Sequence, residues 1–460
     1  MSRLGHQPLS PLDGRYRAVT EALGEYFSEA ALNRARVKVE LEWLITLCKE
    51  GVAGTAPLPA STVNTLRAVV TDFGPEQLAA IATYEATTRH DVKAIEYFVR
   101  DVLSDNDLGA LHELVHFGCT SEDINNVSYA LVTKEAMENV WTPAFDQVSE
   151  TIKALAKKWR DEPMLSRTHG QPATPTTMGK EMAVFAHRLA FVSQRIALIP
   201  YQAKFSGATG TFSAHVVAEP AVNWPLVSKN FVEGLGLVWN PLTTQIESHD
   251  ALAALLSTVA HGNRILHNLC TDIWTYISLG YLTQIPEAGA TGSSTMPHKI
   301  NPIRFENAEA NLELSNALLD SLASTLVTSR LQRDLTDSST QRNLGVAFGH
   351  SLLALTNIQK GLGDIALNSQ ALRADLAANG EVLAEAIQMV IRAEITRGSS
   401  SLKDPYAVVK ELTRGNAVNT EVLRAFIAEL DISEGAKKRL SALTPEEYVG
   451  LASELVNYLD

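Results

Sequence analysis

The segment Gly292–Pro302, GSSTMPHKINP, sets two serines, a lysine, a histidine and an asparagine between glycine and proline hinges. Glycine and its small neighbours allow unusual dihedrals, and Pro297 and Pro302 stiffen the backbone around them. Hydroxyls beside one fixed cation, on a segment able to move, suit a lid that closes over an anion and delivers a catalytic group. A second polar stretch, SRTHGQPATPTTMGKE, runs from Ser166 to Glu181 and reads as a loop leading into a helix near Met182. It places Thr168 and His169 just before a glycine, where they can face a cleft, and histidine is the side chain that titrates near neutrality. A third, HFGCTSEDINN from His116 to Asn126, carries Thr120, Ser121, Glu122, Asp123 and Asn125, a pattern that also caps helices. Cys119 within it reads as a small buried filler.

One further spacing overlaps the third stretch. His112-Glu113-Leu114-Val115-His116 spells HExxH, and on a helix it would put both histidines on one face, with Glu135 or Glu138 downstream as a third zinc ligand. Taken alone it points to a metallopeptidase. Neither a GxxxxGK[ST] phosphate loop nor a dinucleotide fingerprint occurs, so nucleotide hydrolysis and hydride transfer have no support.

These residues need rigid elements to hold them, and the spacing of apolar positions supplies helices. Met182, Phe185, Leu189, Val192, Ile196 and Ile199 recur at intervals of three and four, as do Phe145, Val148, Ile152, Leu155 and Trp159. Leu312, Ser315, Leu319, Leu322 and Leu326 repeat the pattern. Such seams belong to long helices packed as a bundle. No proline falls between Ile246 and Ile285, which leaves room for one helix of about 35 residues, longer than a domain of this size can cover; its apolar face is expected to continue into partner subunits. The expected fold is all-α with three helical domains: an N-terminal domain over 1–105, a central long-helix bundle over 106–365, and a C-terminal domain over 366–460. Strand alternation appears only in short pieces. With 39 basic against 52 acidic residues, a net charge of −13, a nucleic-acid or anionic-membrane partner is disfavoured. Three scattered cysteines imply no disulfide framework, and the N-terminus lacks an apolar leader, so a soluble cytoplasmic protein is expected.

The string from Gly292 to Pro302 resembles the SSxMPxKxNP signature of the fumarase/aspartase superfamily, and its His298 form resembles the adenylosuccinate lyase branch. Ser166–Glu181 and His116–Asn126 are similar to the other two signature regions, and the match spans most of the chain. The resemblance implies β-elimination of fumarate, with Ser293 as base and His169 as general acid. It also implies that His90, Lys299 and Glu306 support catalysis. Arg15 and Tyr16 in DGRY would form a phosphate corner. Arg89, His90 and Asp91 would lie near the purine, and Thr120 and Ser121 would hold substrate carboxylates, with Lys299 and Asn301. Gln245, Ser294, Asn307, Arg333, Ser338 and Arg342 complete the implied substrate set. A small anionic nucleotide substrate, no metal, no organic cofactor, and a homotetramer whose sites are shared between three subunits are implied by the same resemblance. It accounts for His116 and CTSED without a metal. The alternative within the fold is a sister lyase such as one acting on argininosuccinate, which His298 and the Arg15-Tyr16 corner disfavour.

Overall fold

The computed structural model describes residues 8–286, 296, 299–413 and 420–459. The fold is all-α. Its long helices are Glu29–Lys49, Thr142–Lys158, Met178–Leu198, Asp250–Ser278, Ile303–Leu326 and Leu344–Gly363. The apolar seams fall where the spacing puts them: Met182, Phe185, Leu189, Val192 and Ile196 are buried, as are Phe145, Val148 and Ile152, and Leu312 through Leu326. Ile199 lies just beyond its helix and is only partly buried. On the outer face of Met178–Leu198, Val184, Phe191 and Leu198 stand exposed at intervals of seven, an apolar stripe along one side of the helix.

The longest helix has 29 residues, Asp250–Ser278, or about 43 Å at 1.5 Å per residue. It is shorter than the proline-free window because both ends are terminated by other means. At its start His249 has a φ of 61°, outside helical backbone. At its end Gly280 takes a φ of 74° and donates to the Ile277 carbonyl, while Tyr281 donates to the Tyr276 carbonyl. That pair of bonds is the Schellman arrangement, which needs the left-handed residue that glycine provides.

The chain divides into two compact units. The first comprises Met1–Asp146, Val192–Arg264 and Ala308–Thr356. Its N-terminal core gathers around Trp43, whose ring lies 4.4 Å from Phe205 and 5.1 Å from Phe231. Where its long-helix stretches meet, a closed polar chain sits among the leucines. Trp141 Nε1 donates to Ser351 Oγ (2.8 Å), Ser351 to Asn263 Oδ1 (2.8 Å), Asn263 to Ser315 Oγ (3.1 Å), and Ser315 to the Ala347 carbonyl (2.8 Å). Ser315 therefore occupies a leucine position at little cost, because its hydroxyl is fully engaged.

The second unit comprises Gln147–Phe191, Ile265–Asn307 and Asn357–Asp460. Gly179 lies so close to Thr142–Lys158 and its extension that a Cβ there would stand 2.4 Å from the Ala156 carbonyl oxygen and from Arg160 Cα. Asn357 donates to Asn307 (3.0 Å), and Arg304 pairs with Asp364 (2.9 Å). A small C-terminal core is built from Leu383, Ile387, Ile391, Leu423, Ile427 and their neighbours.

Candidate active site

Ser166–Glu181 is an antiparallel hairpin followed by a helix from Met178, where the sequence reads as a polar loop. Strand Pro163–Thr168 pairs with Gln171–Thr177 in a register that ends at Thr168 opposite Gln171. His169 and Gly170 alone make the turn, with φ of 53° and 75°. Positive φ at both central residues is the two-residue turn whose twist matches paired strands, and histidine tolerates it better than most side chains. The hairpin escaped the alternation test because it is buried by ends: Pro163–Leu165 and Pro175–Thr177 are buried and the tip is exposed. His169 is thus held out on a ribbon, and it makes no hydrogen bond to Glu306, whose carboxylate accepts from Trp274 Nε1 (3.1 Å).

The third polar stretch caps a helix, as its residues suggest. Helix Ser121–Ala136 starts after Thr120, whose N–H donates to Asp123 (2.8 Å). Asp123 is fully buried, pairs with the equally buried Lys204 (2.7 Å), and accepts from the N–H groups of Ser206 (2.9 Å) and Gly207 (3.1 Å). Its oxygens are committed to the scaffold. Thr120 and Ser121, partly exposed at the helix N-terminus, remain as donors toward an anion. Lys204 is a residue that the spacing gives no reason to single out.

Two of the arginines, Arg333 and Arg342, are each held by carboxylates, Arg333 by the buried Glu122 and Arg342 by the partly buried Asp91 and the exposed Glu29. Arg333 donates through Nη2 to Glu122 (2.9 Å) and through Nη1 to Gln245 (3.2 Å), and Gln245 donates onward to the Ala208 carbonyl (2.9 Å). Burial raises the Glu122 carboxyl above its ordinary value, against the opposing pull of Asn125 and Arg333. Arg342 donates to Asp91 (3.0 Å) and to Glu29 (2.8 Å). Burial also works to raise Asp91, but the Arg36 charge, the Val92 N–H and Arg342 outweigh it and leave the carboxyl below the ordinary range. Arg342 lines a cavity of about 250 Å³ together with Ser10, Asp13 and Ser28, and of the DGRY segment only Asp13 reaches it. Arg15 is exposed, its guanidinium 5.9 Å from the Tyr16 ring. Arg89 caps helix Pro75–Thr88 with a φ of 53°, and His90 opens helix Asp91–Asp105 by accepting the Lys93 N–H at Nδ1 (3.2 Å). Its side chain is about half exposed. Ser338 lies on the short helix Thr336–Gln341.

Lys299 is exposed and its N–H closes a turn onto the Met296 carbonyl (3.0 Å). Asn301, Glu306 and Asn307 come next, at the start of Ile303–Leu326. Ser293, Ser294 and His298 lie outside the described residues.

The HExxH spacing does not lie on an α-helix. Gly109–Leu114 is a 3-10 turn, and His116 has a φ of 61°. His112 bonds Ser104 (3.0 Å) while His116 Nδ1 meets Glu40 (2.6 Å), so the two rings serve different partners. Among the described residues no group of three or more His, Cys, Asp and Glu side chains is placed to hold a metal ion. His116 is instead half of a buried ion pair. Burial works against its proton, but the bond and charge of Glu40, with Glu96 and Asp123, prevail and raise it above 6.5. A raised folded value means that the pair stabilises fully below the unfolded value and is lost as pH rises through the folded one. The thermal midpoint is therefore expected to fall as pH climbs from about 6.5 into the mildly alkaline range. His116→Asn, which tolerates the left-handed backbone, should flatten that slope; scanning calorimetry across pH reads it.

The helical seams carry separate polar segments on a hairpin tip, at a helix N-terminus and beside carboxylate-held arginines, and a family model described as "Lyase" matches residues 14–314 of this chain. A second, described as "Adenylosuccinate lyase C-terminal", matches residues 329–449. The chain is 47% identical to the adenylosuccinate lyase of Legionella pneumophila over 97% of both chains, and 46% identical to that of Escherichia coli over 98% of both. The relative from Dictyostelium discoideum is 43% identical over 96% of both. The chain belongs to the adenylosuccinate lyase family. Among solved structures, a fumarate lyase from Mesorhizobium sp. BNC1 superposes with a TM-score of 0.75 at 20% identity, over 95% of this chain and 97% of that one. The 3-carboxy-cis,cis-muconate lactonizing enzyme of Pseudomonas putida gives 0.71 at 21% identity, over 95% and 96%. At those identities the two speak to the fold alone.

Proposed function

We propose that the protein eliminates fumarate from adenylosuccinate to give AMP, and from the succinyl-aminoimidazole-carboxamide ribotide, as a cytoplasmic enzyme of purine biosynthesis. The observation that carries this reading is near-full-length identity of 46–47% to adenylosuccinate lyases. Arg333 and Arg342, each held by a carboxylate, support it as cations available to a nucleotide phosphate.

The difficult step is removal of a proton from carbon next to a carboxylate. It needs a base held against that C–H and fixed positive charge where the aci-carboxylate develops. Ser293 takes the proton. A free hydroxyl is too weak an acid to ionise at neutral pH, so closure of the signature segment and the Lys299 charge must favour its anion. Lys299, Asn301 and Ser294 hold that carboxylate, and Thr120 and Ser121 hold the other at the helix N-terminus. The electron pair left on carbon forms the new C=C bond as the C–N bond breaks. His169 gives its proton to the departing nitrogen, with Glu306 and His90 in support. Fumarate and the amine of the nucleotide are released. Arg15, Tyr16, Arg333, Ser338 and Arg342 hold phosphate and ribose, and Arg89, Gln245 and Asn307 orient the rest.

No metal or organic cofactor enters this scheme, since the protein's own donors meet the developing charge. The assembly proposed is a homotetramer with each site shared between three subunits. The exposed stripe Val184, Phe191 and Leu198 supports it, since such a stripe calls for a partner helix. No described helix is long and apolar enough to cross a membrane. Fumarate release followed by ultraviolet absorbance tests the function: adenylosuccinate should be turned over, and argininosuccinate and aspartate should not. Turnover of either of the latter in preference would replace this reading with a sister lyase.

A further inference from the structure

Arg36 is an arginine only 1% exposed, in the middle of helix Glu29–Lys49, and nothing in the signature regions accounts for it. Each of its three nitrogens makes a hydrogen bond. Nε bonds Asn125 Oδ1 (2.9 Å), Nη1 bonds Asn33 Oδ1 (3.1 Å), and Nη2 bonds Asp91 Oδ2 (2.7 Å). From Asn125 the chain of bonds continues: its Nδ2 donates to Glu122 Oε1 (2.8 Å), the same oxygen that accepts from Arg333 (2.9 Å). From Asp91 it continues the other way, to Arg342 (3.0 Å). The result is one unbroken line, Arg333–Glu122–Asn125–Arg36–Asp91–Arg342, in which cation and anion alternate across one neutral amide. Glu122 and Asn125 are themselves 1% and 5% exposed.

Burying a guanidinium and a carboxylate in this way costs desolvation that a well-packed apolar core would avoid, so stability alone is a poor reason for the arrangement. What the line does achieve is geometric. Both ends are arginines assigned to the substrate, and each is fixed by a carboxylate that is in turn fixed from behind. Asp91 fits this role better than that of a substrate contact. Its Oδ1 accepts the Val92 N–H (2.9 Å) and its Oδ2 accepts from both arginines, so its oxygens are spent on the protein.

We propose that Arg36, Asn125 and Glu122, with Asp91, form a buried spine of positioning residues that holds Arg333 and Arg342 in register for the phosphate of the nucleotide substrate. The inference rests on the reading of those two arginines as the phosphate site. The spine acts through the arginines and touches no reacting atom. Its signature is selectivity: weakening it should penalise a substrate that carries the phosphate more than one that lacks it. An ordinary structural network would penalise both alike.

The test compares kcat/KM on adenylosuccinate and on its dephosphorylated nucleoside, using full-length protein with Glu122→Gln, Arg36→Lys and Arg333→Ala, and the Glu122→Gln/Arg333→Ala double variant. Glutamine keeps the shape and one acceptor of Glu122 but not its charge. Lysine keeps the charge of Arg36 but cannot span three acceptors with one planar group. Arg333→Ala should lower kcat/KM on the nucleotide at least about tenfold more than on the nucleoside. Glu122→Gln and Arg36→Lys should shift the same ratio by about fivefold, chiefly through KM, and the double variant should lose little beyond Arg333→Ala. If Arg333→Ala is selective but the spine variants lower both substrates equally, or if losses multiply in the double, the spine is overturned and the phosphate site stands. If Arg333→Ala is itself unselective, the phosphate reading falls and the spine with it. Should Arg36→Lys fail to fold by thermal melting, the near-isosteric Glu122→Gln decides the case.

Discussion

Ser293→Ala is expected to abolish turnover while leaving substrate affinity largely intact. In the proposed reaction the hydroxyl acts as the proton leaves carbon, and an interaction made mainly in the transition state is lost from kcat with little change in ground-state binding. A positioned base contributes about a hundredfold to ten-thousandfold. The deficit should therefore be at least about 100-fold in kcat, with adenylosuccinate still binding the variant in a calorimetric titration. A loss of less than about tenfold, or roughly 1.4 kcal/mol of barrier, would remove Ser293 from the role.

His169→Gln carries the second large effect, a fall of about 10²–10⁴ in turnover together with loss of one limb of the pH–rate profile. Glutamine keeps a polar side chain at the hairpin tip but has no proton to exchange near neutrality. The two-residue turn sets this side chain apart, since His169 and Gly170 both sit at positive φ and the strands behind them are anchored by buried residues. Steady-state rates from pH 5 to 9 read the outcome. A variant that keeps both limbs unchanged would move the role to His90, whose Nδ1 is occupied by the Lys93 N–H and whose ring is otherwise exposed.

The helices were legible in the sequence because their burial is periodic: Met182 through Ile196 and Leu312 through Leu326 report their own inward faces. The hairpin beneath His169 was not, because its buried residues lie at one end of the ribbon and do not alternate. HExxH misleads for a related reason. A motif fixes spacing, but only backbone geometry puts two side chains on one face, and here the chain leaves the 3-10 turn before His116 and passes through a left-handed residue. The candidate site residues were legible as types in familiar order. Their supports were not: Arg36 and Lys204 owe their roles to partners 55 to 89 positions away, and no local pattern announces a buried cation whose counter-charge lies on another helix. Asp91 shows the same limit, since its letter suggests a ligand contact while its bonds tie it to two arginines.

In the proposed enzyme His169 and Ser293 are the acid and base of one site assembled from more than one chain. Mixing inactive His169→Gln and Ser293→Ala proteins, dissociating them and letting them reassemble tests this directly, because mixed tetramers of the proposed kind would contain some sites with an intact histidine from one chain and an intact serine from another. The account predicts that fumarate release from adenylosuccinate returns to a measurable fraction of the unmutated rate. No recovery of activity, with mixed tetramers shown to form by native mass spectrometry, would contradict it and leave a site contained within a single chain.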